Sequence, residues 1–275
     1  MKLHWKTTLA TIALFLLPLA AGAQSLLGSE YGGSALYDIN KSTGTFTTAC
    51  VPTTSALPGV AWNPLTSTLY GTDENNLYIV NRTTCATTLV GAHGSRVTGL
   101  TFNTAFTTLY AIGYNGNLYS INPATGAATS LGAIGAGIGS PGLDVTDLAT
   151  RSDGAMFSVG VNNNLYSVNI ATGAFTNLGV ITGTTGAGIT SITFDNLDVL
   201  YGIDTLSDRL VTLDTTTRAI TFVSAGGIGS DVRGLTWAGA GAPPTASIQV
   251  PALDTLGLML LMGLLGFAGL VAIRR

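Results

Sequence analysis

The chain has 275 residues, of which 46% are hydrophobic and only 9% are charged, and it contains 36 glycines. This much apolar material excludes a disordered chain, and a formal net charge of −3 argues against a nucleic-acid-binding surface. The polar residues are mostly Thr, Ser, Asn and Gly, which are typical of short strands and tight turns, so the composition predicts an all-β fold.

The chain begins with a signal-peptide pattern. Two lysines precede an apolar run from Leu9 to Ala20, and the small residues Ala21-Gly22-Ala23 follow it. A signal peptidase reads small residues at its cleavage site, and the apolar run is short for a membrane span. We therefore expect the secretion machinery and signal peptidase to remove residues 1–23, so that the mature chain begins at Gln24.

One phrase recurs five times after this signal. It begins with Leu-Tyr or Leu-Val, ends on Asn or Asp, and continues in most copies into Thr-Gly. The copies are Leu36–Asn40, Leu77–Asn81, Leu118–Asn122, Leu165–Asn169 and Leu210–Asp214. Their spacing of 41 to 47 residues is that of a four-stranded propeller blade, with Gly supplying the positive φ of a hairpin turn. A parallel β-helix or solenoid is the alternative, but its repeats are usually shorter.

A second phrase also occurs five times, and it predicts the innermost of four strands that we call a, b, c and d. Its copies are Gly59–Trp62, Gly99–Phe102, Asp147–Thr150, Ser191–Phe194 and Gly234–Trp237. The array starts at a b-like strand near Leu26 and finishes at an a strand, so one blade is split between the two ends. We predict an all-β, five-bladed β-propeller over residues 24–238, closed by strand a from the C-terminal end and strands b, c and d from the N-terminal end.

The repeat resembles that of exported bacterial β-propellers with Leu-Tyr-x-Ile-Asn-x-x-Thr-Gly phrases, a group of domains of unknown function. The resemblance covers roughly Ser25 to Ala238, and it implies a fold and no activity. The repeated tyrosines lie at one register inside strands, so we expect them to pack between blades rather than to form a sugar-stacking surface. They are Tyr37, Tyr70, Tyr78, Tyr110, Tyr119, Tyr166 and Tyr201.

The sequence offers little for catalysis or metal binding, and we expect no cofactor and no metal. His93 is the one histidine outside the signal peptide, which disfavours a multi-histidine metal site and a Ser-His hydrolase and predicts a loop residue. Carboxylates are the remaining option, because a glycosidase needs only two of them. We expect most of them to cap turns. The candidates are Asp73, Glu74, Asp144, Asp147, Asp204, Asp208 and Asp231.

Cys50 and Cys85 are the only cysteines, and in an exported protein two cysteines often pair. The repeat alignment places Cys85 at a c–d turn and Cys50 near the exit of strand d in the neighbouring copy. These are opposite ends of a blade, which predicts a separation above the limit of about 7 Å between Cα atoms. The alignment therefore argues against a disulfide.

The b–c turns and the connections from d to the next a are expected on one face of the ring. We call this the loop face and predict it to be the binding surface. Its polar residues are Asp73, Glu74, His93, Arg96, Tyr114, Asn115, Asp144, Asn163, Asp204, Asp208, Asp231 and Arg233.

The C-terminal end has the layout of a membrane anchor. Residues 239–249 are rich in Gly, Ala and Pro and predict a linker. Residues 256–273 carry no charge and predict a transmembrane helix of about 27 Å, close to the thickness of a hydrocarbon core. Arg274 and Arg275 follow and favour the cytoplasmic side, so we expect the propeller on the opposite side of that membrane.

The order Val250-Pro251-Ala252-Leu253, apolar segment and arginine pair resembles the IPTL-CTERM tail, a variant of the PEP-CTERM sorting signals of Gram-negative bacteria. Val250 and Ala252 replace the commoner Ile and Thr. The resemblance implies that an exosortase-like enzyme reads the short Pro motif of the segment 250–275, with the apolar helix as a hold in the membrane and the basic end as a stop. It also implies inner-membrane anchoring with the propeller in the periplasm, or transfer to the cell surface or extracellular matrix.

These features predict a noncatalytic cell-envelope or extracellular-matrix propeller that binds polysaccharide or a surface protein through the loop face. Two alternatives stay open. One is a glycoside hydrolase or lyase that uses a carboxylate pair on the same face, and the other is a purely structural surface protein. No nucleic-acid partner is expected.

Overall fold

The computed structural model describes residues 25–32, 35–53, 56–135, 145–160, 162–186, 188–224, 226–227, 229 and 231–238. In this part of the chain, twenty strands form five antiparallel sheets of four strands each. The predicted signal peptide, linker, transmembrane helix and sorting motif all lie outside the described residues. Inside them, no helix has the length and apolar character needed to cross a membrane.

Each sheet is one blade, with strands a, b, c and d following from the centre outward. Blade 1 contains β20 (Val232–Trp237), β1 (Ser25–Glu30), β2 (Leu36–Asn40) and β3 (Phe46–Cys50). Blade 2 contains β4 (Gly59–Asn63), β5 (Thr68–Thr72), β6 (Asn76–Val80) and β7 (Thr87–Ala92). Blade 3 contains β8 (Val97–Phe102), β9 (Leu109–Gly113), β10 (Asn117–Ile121) and β11 (Ala128–Ala133).

The last two blades follow the same order. Blade 4 contains β12 (Asp147–Thr150), β13 (Met156–Val159), β14 (Asn164–Val168) and β15 (Phe175–Val180). Blade 5 contains β16 (Ile189–Phe194), β17 (Leu200–Asp204), β18 (Arg209–Leu213) and β19 (Ile220–Phe222). The five a strands β4, β8, β12, β16 and β20 contact one another in sequence around the ring, so they are the innermost strands.

Blade 1 closes the ring, as the sequence predicts. Strand β20 pairs antiparallel with β1, with Leu26 opposite Trp237 and Gly28 opposite Leu235. The backbone N–H of Ala238 then donates to the carbonyl of Ser25 at 3.1 Å. The split blade and the count of five blades are therefore confirmed, and the solenoid alternative is wrong.

The Asn or Asp that ends each repeated phrase builds the c–d turn. The Asn81 side chain, for example, accepts the backbone N–H groups of Thr83 and Thr84 at 2.9 and 3.0 Å. The same arrangement recurs at Asn40, Asn169 and Asp214. These are Asx turns, in which a short side chain replaces a backbone acceptor.

The hydrophobic core is divided among the blade interfaces. The described residues form five apolar clusters, and each cluster combines residues of two adjacent blades. The repeated tyrosines join these interfaces: Tyr166 is 1% exposed, and Tyr70 meets Phe102 of the next blade edge-on with ring centroids 5.6 Å apart. Their predicted packing role is confirmed for these two residues.

Cys50 and Cys85 form a disulfide with Cα atoms 5.6 Å apart, so the prediction that they lie too far apart is wrong. Strand d carries a β-bulge opposite the Leu36–Tyr37 step, and a bulge bends the strand that contains it. Blade twist also turns the outer strands away from the direction of the inner ones. As a result, the exit of strand d meets the c–d turn of the next blade.

The same contact recurs at all five blade junctions. At the other four junctions it is made without a covalent bond, and an added Cβ on the turn or strand residue would meet the neighbouring blade. The pairs are Gly91 with Gly126, Gly132 with Gly173, Gly179 with Arg218, and Ser224 with Gly44. The disulfide is therefore the covalent version of a repeated contact, and it links blades 1 and 2.

Candidate functional site

Glu74 is the centre of a polar cluster on the loop face. It lies in the b–c turn of blade 2 with a positive φ of 80°, and its side chain is 12% exposed. One carboxylate oxygen accepts the Tyr114 hydroxyl at 2.6 Å, and the other accepts Arg96 Nε at 2.7 Å. The cluster thus joins the turns of blades 2 and 3 with the connection between them.

Two arginines of the loop face stack on tyrosine rings. The Arg96 guanidinium lies 4.0 Å from the Tyr114 ring centroid, and Arg233 lies 4.3 Å from that of Tyr31. Arg233 also binds both carboxylate oxygens of Asp231, at 3.0 and 2.9 Å. Burial and the hydrogen bond to Glu74 raise the pKa of Tyr114, so this hydroxyl stays protonated and continues to donate.

Three polar residues of the loop face form hydrogen bonds within their own blades, and they are Asp73, Asn115 and Asn163. Asp73 accepts the backbone N–H groups of Asn75 and Asn76 and the hydroxyl of Tyr78. Burial opposes its ionisation, but these hydrogen bonds outweigh burial and lower the pKa of Asp73. Asn115 donates to the Tyr119 hydroxyl at 2.7 Å, and Asn163 donates to the Ile181 carbonyl at 3.0 Å.

His93 is buried between blades, with only 3% of its surface exposed. Its Nδ1 lies 2.9 Å from the Gly126 carbonyl and its Nε2 lies 2.9 Å from the Thr72 hydroxyl. Because the carbonyl can only accept, Nδ1 carries the proton and Nε2 accepts. Burial lowers the pKa of His93. The residue therefore ties blade 2 to blade 3 beneath the loop face and does not reach a ligand.

The remaining carboxylates of the loop face lie near the junction of blades 5 and 1. Asp204 is fully buried and accepts hydrogen bonds from Thr185 and Ser207. Burial opposes its ionisation, but these bonds lower the pKa of Asp204. Burial raises the pKa of Asp208, and the charges of Asp231 and Asp204 act in the same direction. Asp144 lies outside the described residues.

The loop face therefore gathers several of the predicted residues. Glu74, Arg96 and Tyr114 form one cluster, and Asp231 with Arg233 forms a pair beside Tyr31, whose hydroxyl donates to Glu74 at 3.5 Å. The predicted turn-capping role of Asp73 and Asp204 is confirmed. Among the described residues, no three His, Cys, Asp or Glu side chains form a group that could hold a metal ion.

Beneath the loop face, Asp147 lies on the ring axis. It is the first residue of its a-strand phrase, and the equivalent residues in the other blades are Gly59, Gly99, Ser191 and Gly234. An added Cβ on Gly99 would meet the Asp147 side chain at 2.8 Å, so the small residues leave room for one carboxyl. We call this region the narrow end of the central channel.

The Asp147 carboxyl is held by backbone groups of four blades. Its Oδ2 accepts the N–H of Ile192 at 2.9 Å, and the N–H groups of Leu100, Leu148 and Leu235 also point to it. Burial raises the pKa of Asp147 well above its usual range, although these four donors oppose the shift. The residue is a structural element of the ring, because it is 1% exposed.

A cavity of about 560 Å³ opens at the other end of the channel. We call this side, where the a–b turns lie, the cavity face. All five a strands line the cavity, and its size falls within the range of about 300–1,000 Å³ that is usual for ligand pockets. The fourth residue of each a-strand phrase lies in its wall: Trp237, Trp62, Phe102, Thr150 and Phe194.

The wall of this cavity has a polar side, and aromatic rings from four blades line the rest of it. Blades 1, 2, 3 and 5 contribute aromatic residues, including Trp237, Trp62 and Phe194. In blade 4 the aromatic position is taken by Thr150, and Arg151 follows it. The a–b turn of blade 5 adds Asn196 and Asp198 to the polar side, and a hydrogen bond of 2.6 Å from Ser152 to Asp198 connects the turns of blades 4 and 5.

Sequence reasoning missed this cavity, although its signal was present in the repeat. The a-strand phrase starts with a small residue in most copies and ends with an aromatic residue in four of five. Because the same pattern occurs in four of the five blades, it predicts a central channel that is narrow at one end and lined by large aromatic side chains at the other.

No family model matches the sequence, and no curated protein matches it. Among solved structures, the fold is similar to a chain in a structure described as a nidogen/laminin complex. That chain is 14% identical, with a TM-score of 0.52, and the match covers 79% of this chain and 99% of that one.

A second similar structure is a protein of unknown function from Bacteroides thetaiotaomicron VPI-5482. It is 17% identical with a TM-score of 0.53, and the match covers 78% of this chain and 59% of that one. At these identities the likeness shows the β-propeller fold alone.

Proposed function

We propose that this chain is an exported, membrane-tethered, noncatalytic binding protein that holds a saccharide in the cavity of its propeller. The observation that carries the proposal is the composition of the cavity wall, which combines aromatic rings of blades 1, 2, 3 and 5 with polar groups at the a–b turns of blades 4 and 5. Pockets of this kind bind ligands that present an apolar surface and a small number of hydrogen-bonding groups.

A sugar ring has this division of surfaces. Its C–H groups form an apolar face that packs on aromatic rings, and its hydroxyl groups both donate and accept hydrogen bonds. On the polar side, Arg151 supplies only donors, Asp198 supplies acceptors, and Asn196 supplies both. A saccharide can therefore satisfy both sides of the wall at once.

The proposal of binding without catalysis rests on how the cavity carboxylates are used. The Asp195 side chain is 1% exposed, pairs with Lys41 at 2.7 Å, and accepts the N–H groups of Leu197 and Val199. Asp198 accepts the backbone N–H and the hydroxyl of Ser152. Glycoside hydrolysis needs two carboxyl groups free to flank the scissile bond, and the burial and ion pair of Asp195 leave Asp198 as the one accessible carboxylate in the described wall of the cavity.

Export and tethering enter the proposal from the sequence. Residues 1–23 have the order of a secretory signal, and residues 250–275 have the order of a sorting signal with an apolar segment and a basic end. Deleting residues 250–275 should release the propeller from the membrane fraction into the periplasm or medium. Retention of the shortened chain in the membrane fraction would contradict the tether.

The binding proposal is tested by a glycan array followed by titration of the bound saccharide. One arginine on each face provides a matched pair: Arg151 pairs with Asp153 and lies over Phe157, while Arg96 pairs with Glu74 and lies over Tyr114. We expect Arg151→Gln to weaken binding about tenfold, which corresponds to roughly 1.4 kcal/mol, and Arg96→Gln to leave it unchanged.

A second variant tests the cavity by filling it. Thr150→Phe places a ring at the one a-strand position that lacks an aromatic residue, and we expect it to abolish saccharide binding while the protein remains folded. The reverse arginine result, with Arg96→Gln weakening binding and Arg151→Gln without effect, would place the site on the loop face. An array without any saturable ligand would reject saccharide binding altogether.

A further inference from the structure

The last residues of the described chain lie on the cavity face of the ring. Blade 1 has no a–b turn, because its a strand ends the described chain and its b strand begins it. The two ends meet there, with the Ala238 N–H bonded to the Ser25 carbonyl. Trp237, the residue before Ala238, is part of the cavity wall. The last described residue, Ala238, therefore lies beside the mouth of the cavity, and residues 239–275 follow it in the sequence.

Two exposed leucines flank this exit point. Leu65 is at the tip of the a–b turn of blade 2, and Leu197 is at the tip of the a–b turn of blade 5; their side chains are 67% and 72% exposed. Blades 2 and 5 are the two neighbours of blade 1 in the ring. The apolar tips thus stand on either side of the position where the chain continues.

The two tryptophans of the cavity wall lie on the same part of the rim. Trp237 and Trp62 belong to blades 1 and 2, and cationic side chains cover their rings: Lys41 lies 4.7 Å from the Trp237 ring and Arg82 lies 5.0 Å from the Trp62 ring. Tryptophan and basic side chains with exposed leucines nearby are characteristic of protein surfaces at a membrane interface.

We propose that the cavity face docks on the bilayer that the C-terminal segment enters, with Leu65 and Leu197 inserted at its surface. The inference rests on the tether of the proposed function. Residues 239–255 separate the ring from the apolar segment and span at most about 60 Å when extended. A linker of this reach keeps the face at high effective concentration beside the membrane, so a contact too weak to bind freely is sufficient.

Docking gives the two faces different surroundings. The cavity opens toward the membrane surface, so the saccharides that reach it are those carried at that surface, whereas the loop face is turned toward the surrounding compartment. A propeller held only by its linker would instead expose both faces equally.

The tryptophans provide an intrinsic probe for this orientation. Trp62 and Trp237 are the only tryptophans after residue 23, and both belong to the cavity face. The mature chain, starting at Gln24, is reconstituted in phosphatidylcholine nanodiscs with or without bromine on the acyl chains. Bromine quenches tryptophan only at short range, so we expect the docked protein to lose most of its emission in the brominated nanodiscs.

A matched set of leucine variants identifies the contact. The double change Leu65→Ser and Leu197→Ser should restore the emission in brominated nanodiscs. Leu206→Ser should leave the quenching unchanged, because Leu206 is 68% exposed but lies in a b–c turn on the loop face. All three positions are exposed turn residues, so these variants are expected to fold normally.

Each outcome separates docking from the function on which it rests. Incorporation into nanodiscs without quenching would overturn docking and leave the tether intact, as would quenching that persists in the double variant. Failure of the chain to enter nanodiscs would overturn the tether and docking together. Quenching as expected, in a protein that binds no saccharide, would support docking and reject the saccharide site.

Discussion

The two ends of the central channel are built from the same four-residue phrase and have opposite characters. At the narrow end, the first residues of the a strands bring backbones together around a single carboxyl, that of Asp147. At the open end, the fourth residues place large rings around a cavity. Side-chain size along one strand therefore determines which end holds the ring together and which can admit a ligand.

This difference separates stability from binding. The groups at the narrow end are buried and satisfied by one another, so substitutions there are expected to act on folding. The groups at the open end line an accessible cavity, so substitutions there are expected to act mainly on binding. The free energy of unfolding of variants at the two ends measures this separation.

Asp147→Ala should have the largest effect on stability. Removing the carboxyl leaves the N–H groups of Ile192, Leu100, Leu148 and Leu235 without their acceptor in a buried site. Each unpaired buried group costs about 1–3 kcal/mol, and partial hydration reduces the sum, so we expect a loss of about 4–5 kcal/mol in urea-induced unfolding. Thr150→Ala at the open end is the control and should lose less than about 1 kcal/mol.

A similar loss in both variants would contradict the separation, because it would mean that the open end stabilises the ring as much as the narrow end does. A small loss in Asp147→Ala would mean that water replaces the carboxyl without cost.

Removing the disulfide should have the next largest effect, and it compares the axis of the ring with its periphery. The bond between Cys50 and Cys85 closes a loop with a sequence separation of 35. The loop-entropy relation gives a contribution of about 3–4 kcal/mol for that length. The double variant Cys50→Ser and Cys85→Ser should unfold at correspondingly lower urea concentration, and wild-type protein under reducing conditions should behave in the same way.

Because Cys85 occupies the place of Gly126, the junction between blades 1 and 2 should keep its geometry without the bond. A loss larger than that of Asp147→Ala would show that the ring depends more on its periphery than on its axis. Equal stability of reduced and oxidised protein would mean that the noncovalent contact alone holds this junction.

Much of the fold could be predicted from the sequence, because the repeated phrases mark the equivalent strands of each blade. The five copies of the first phrase became the c strands, and the a-strand phrases became the inner ring. The split blade followed from which strand type stands at each end of the array. Each of these inferences depends only on a repeated phrase and on the number of residues between its copies, and both can be seen in the sequence.

The contacts between neighbouring blades could not be predicted in the same way. The repeat alignment placed Cys50 and Cys85 at opposite ends of a blade, whereas the bulge in strand d and the blade twist carry Cys50 to the c–d turn of the next blade. His93 lies in the connection after β7, as predicted for a loop residue, but its burial against the Gly126 carbonyl of the next blade was not predicted. Contacts between neighbouring blades depend on the twist of each blade, and the residue pattern does not predict that twist.

The binding surface was the least predictable part. The loop face was chosen because turns and connections gather polar residues there, and that prediction awaits a ligand. Glu74, Arg96 and Tyr114 satisfy one another, whereas the cavity arises from single residues contributed by five different blades. Only the comparison of one strand position across all repeats could have indicated it.

Gly59→Ala should cause a moderate loss by disturbing the close approach of backbones at the narrow end. An added Cβ would lie 2.9 Å from the carbonyl carbon of Gly99 in the next blade, where only backbone can move. We expect a loss of about 1–3 kcal/mol in urea-induced unfolding. Gly32→Ala is the matched control, because a Cβ there meets nothing within 4 Å, and its stability should match that of the wild type. Equal losses of stability in the two variants would show that close packing does not explain the small residues at the narrow end.

The last expected effect is gradual and concerns the pH dependence of stability. Burial raises the pKa of Asp147 well above its usual range, so the folded protein holds this proton more tightly than the unfolded chain does. The contribution of this group is therefore full below the ordinary pKa of an aspartate and falls as the pH rises toward the raised value. Its slope is at most about 1.4 kcal/mol per pH unit.

Asp147→Asn should remove this decline, because an amide does not titrate and still offers an oxygen to the surrounding N–H groups. The lowered pKa values of Asp73 and Asp204 act in the opposite direction, since their stabilisation is lost as the pH falls. The difference in unfolding free energy between variant and wild type, measured against pH, cancels these shared contributions. A difference that stays constant from pH 4 to pH 8 would show that the carboxyl keeps an ordinary pKa at the narrow end, held there by its four backbone donors.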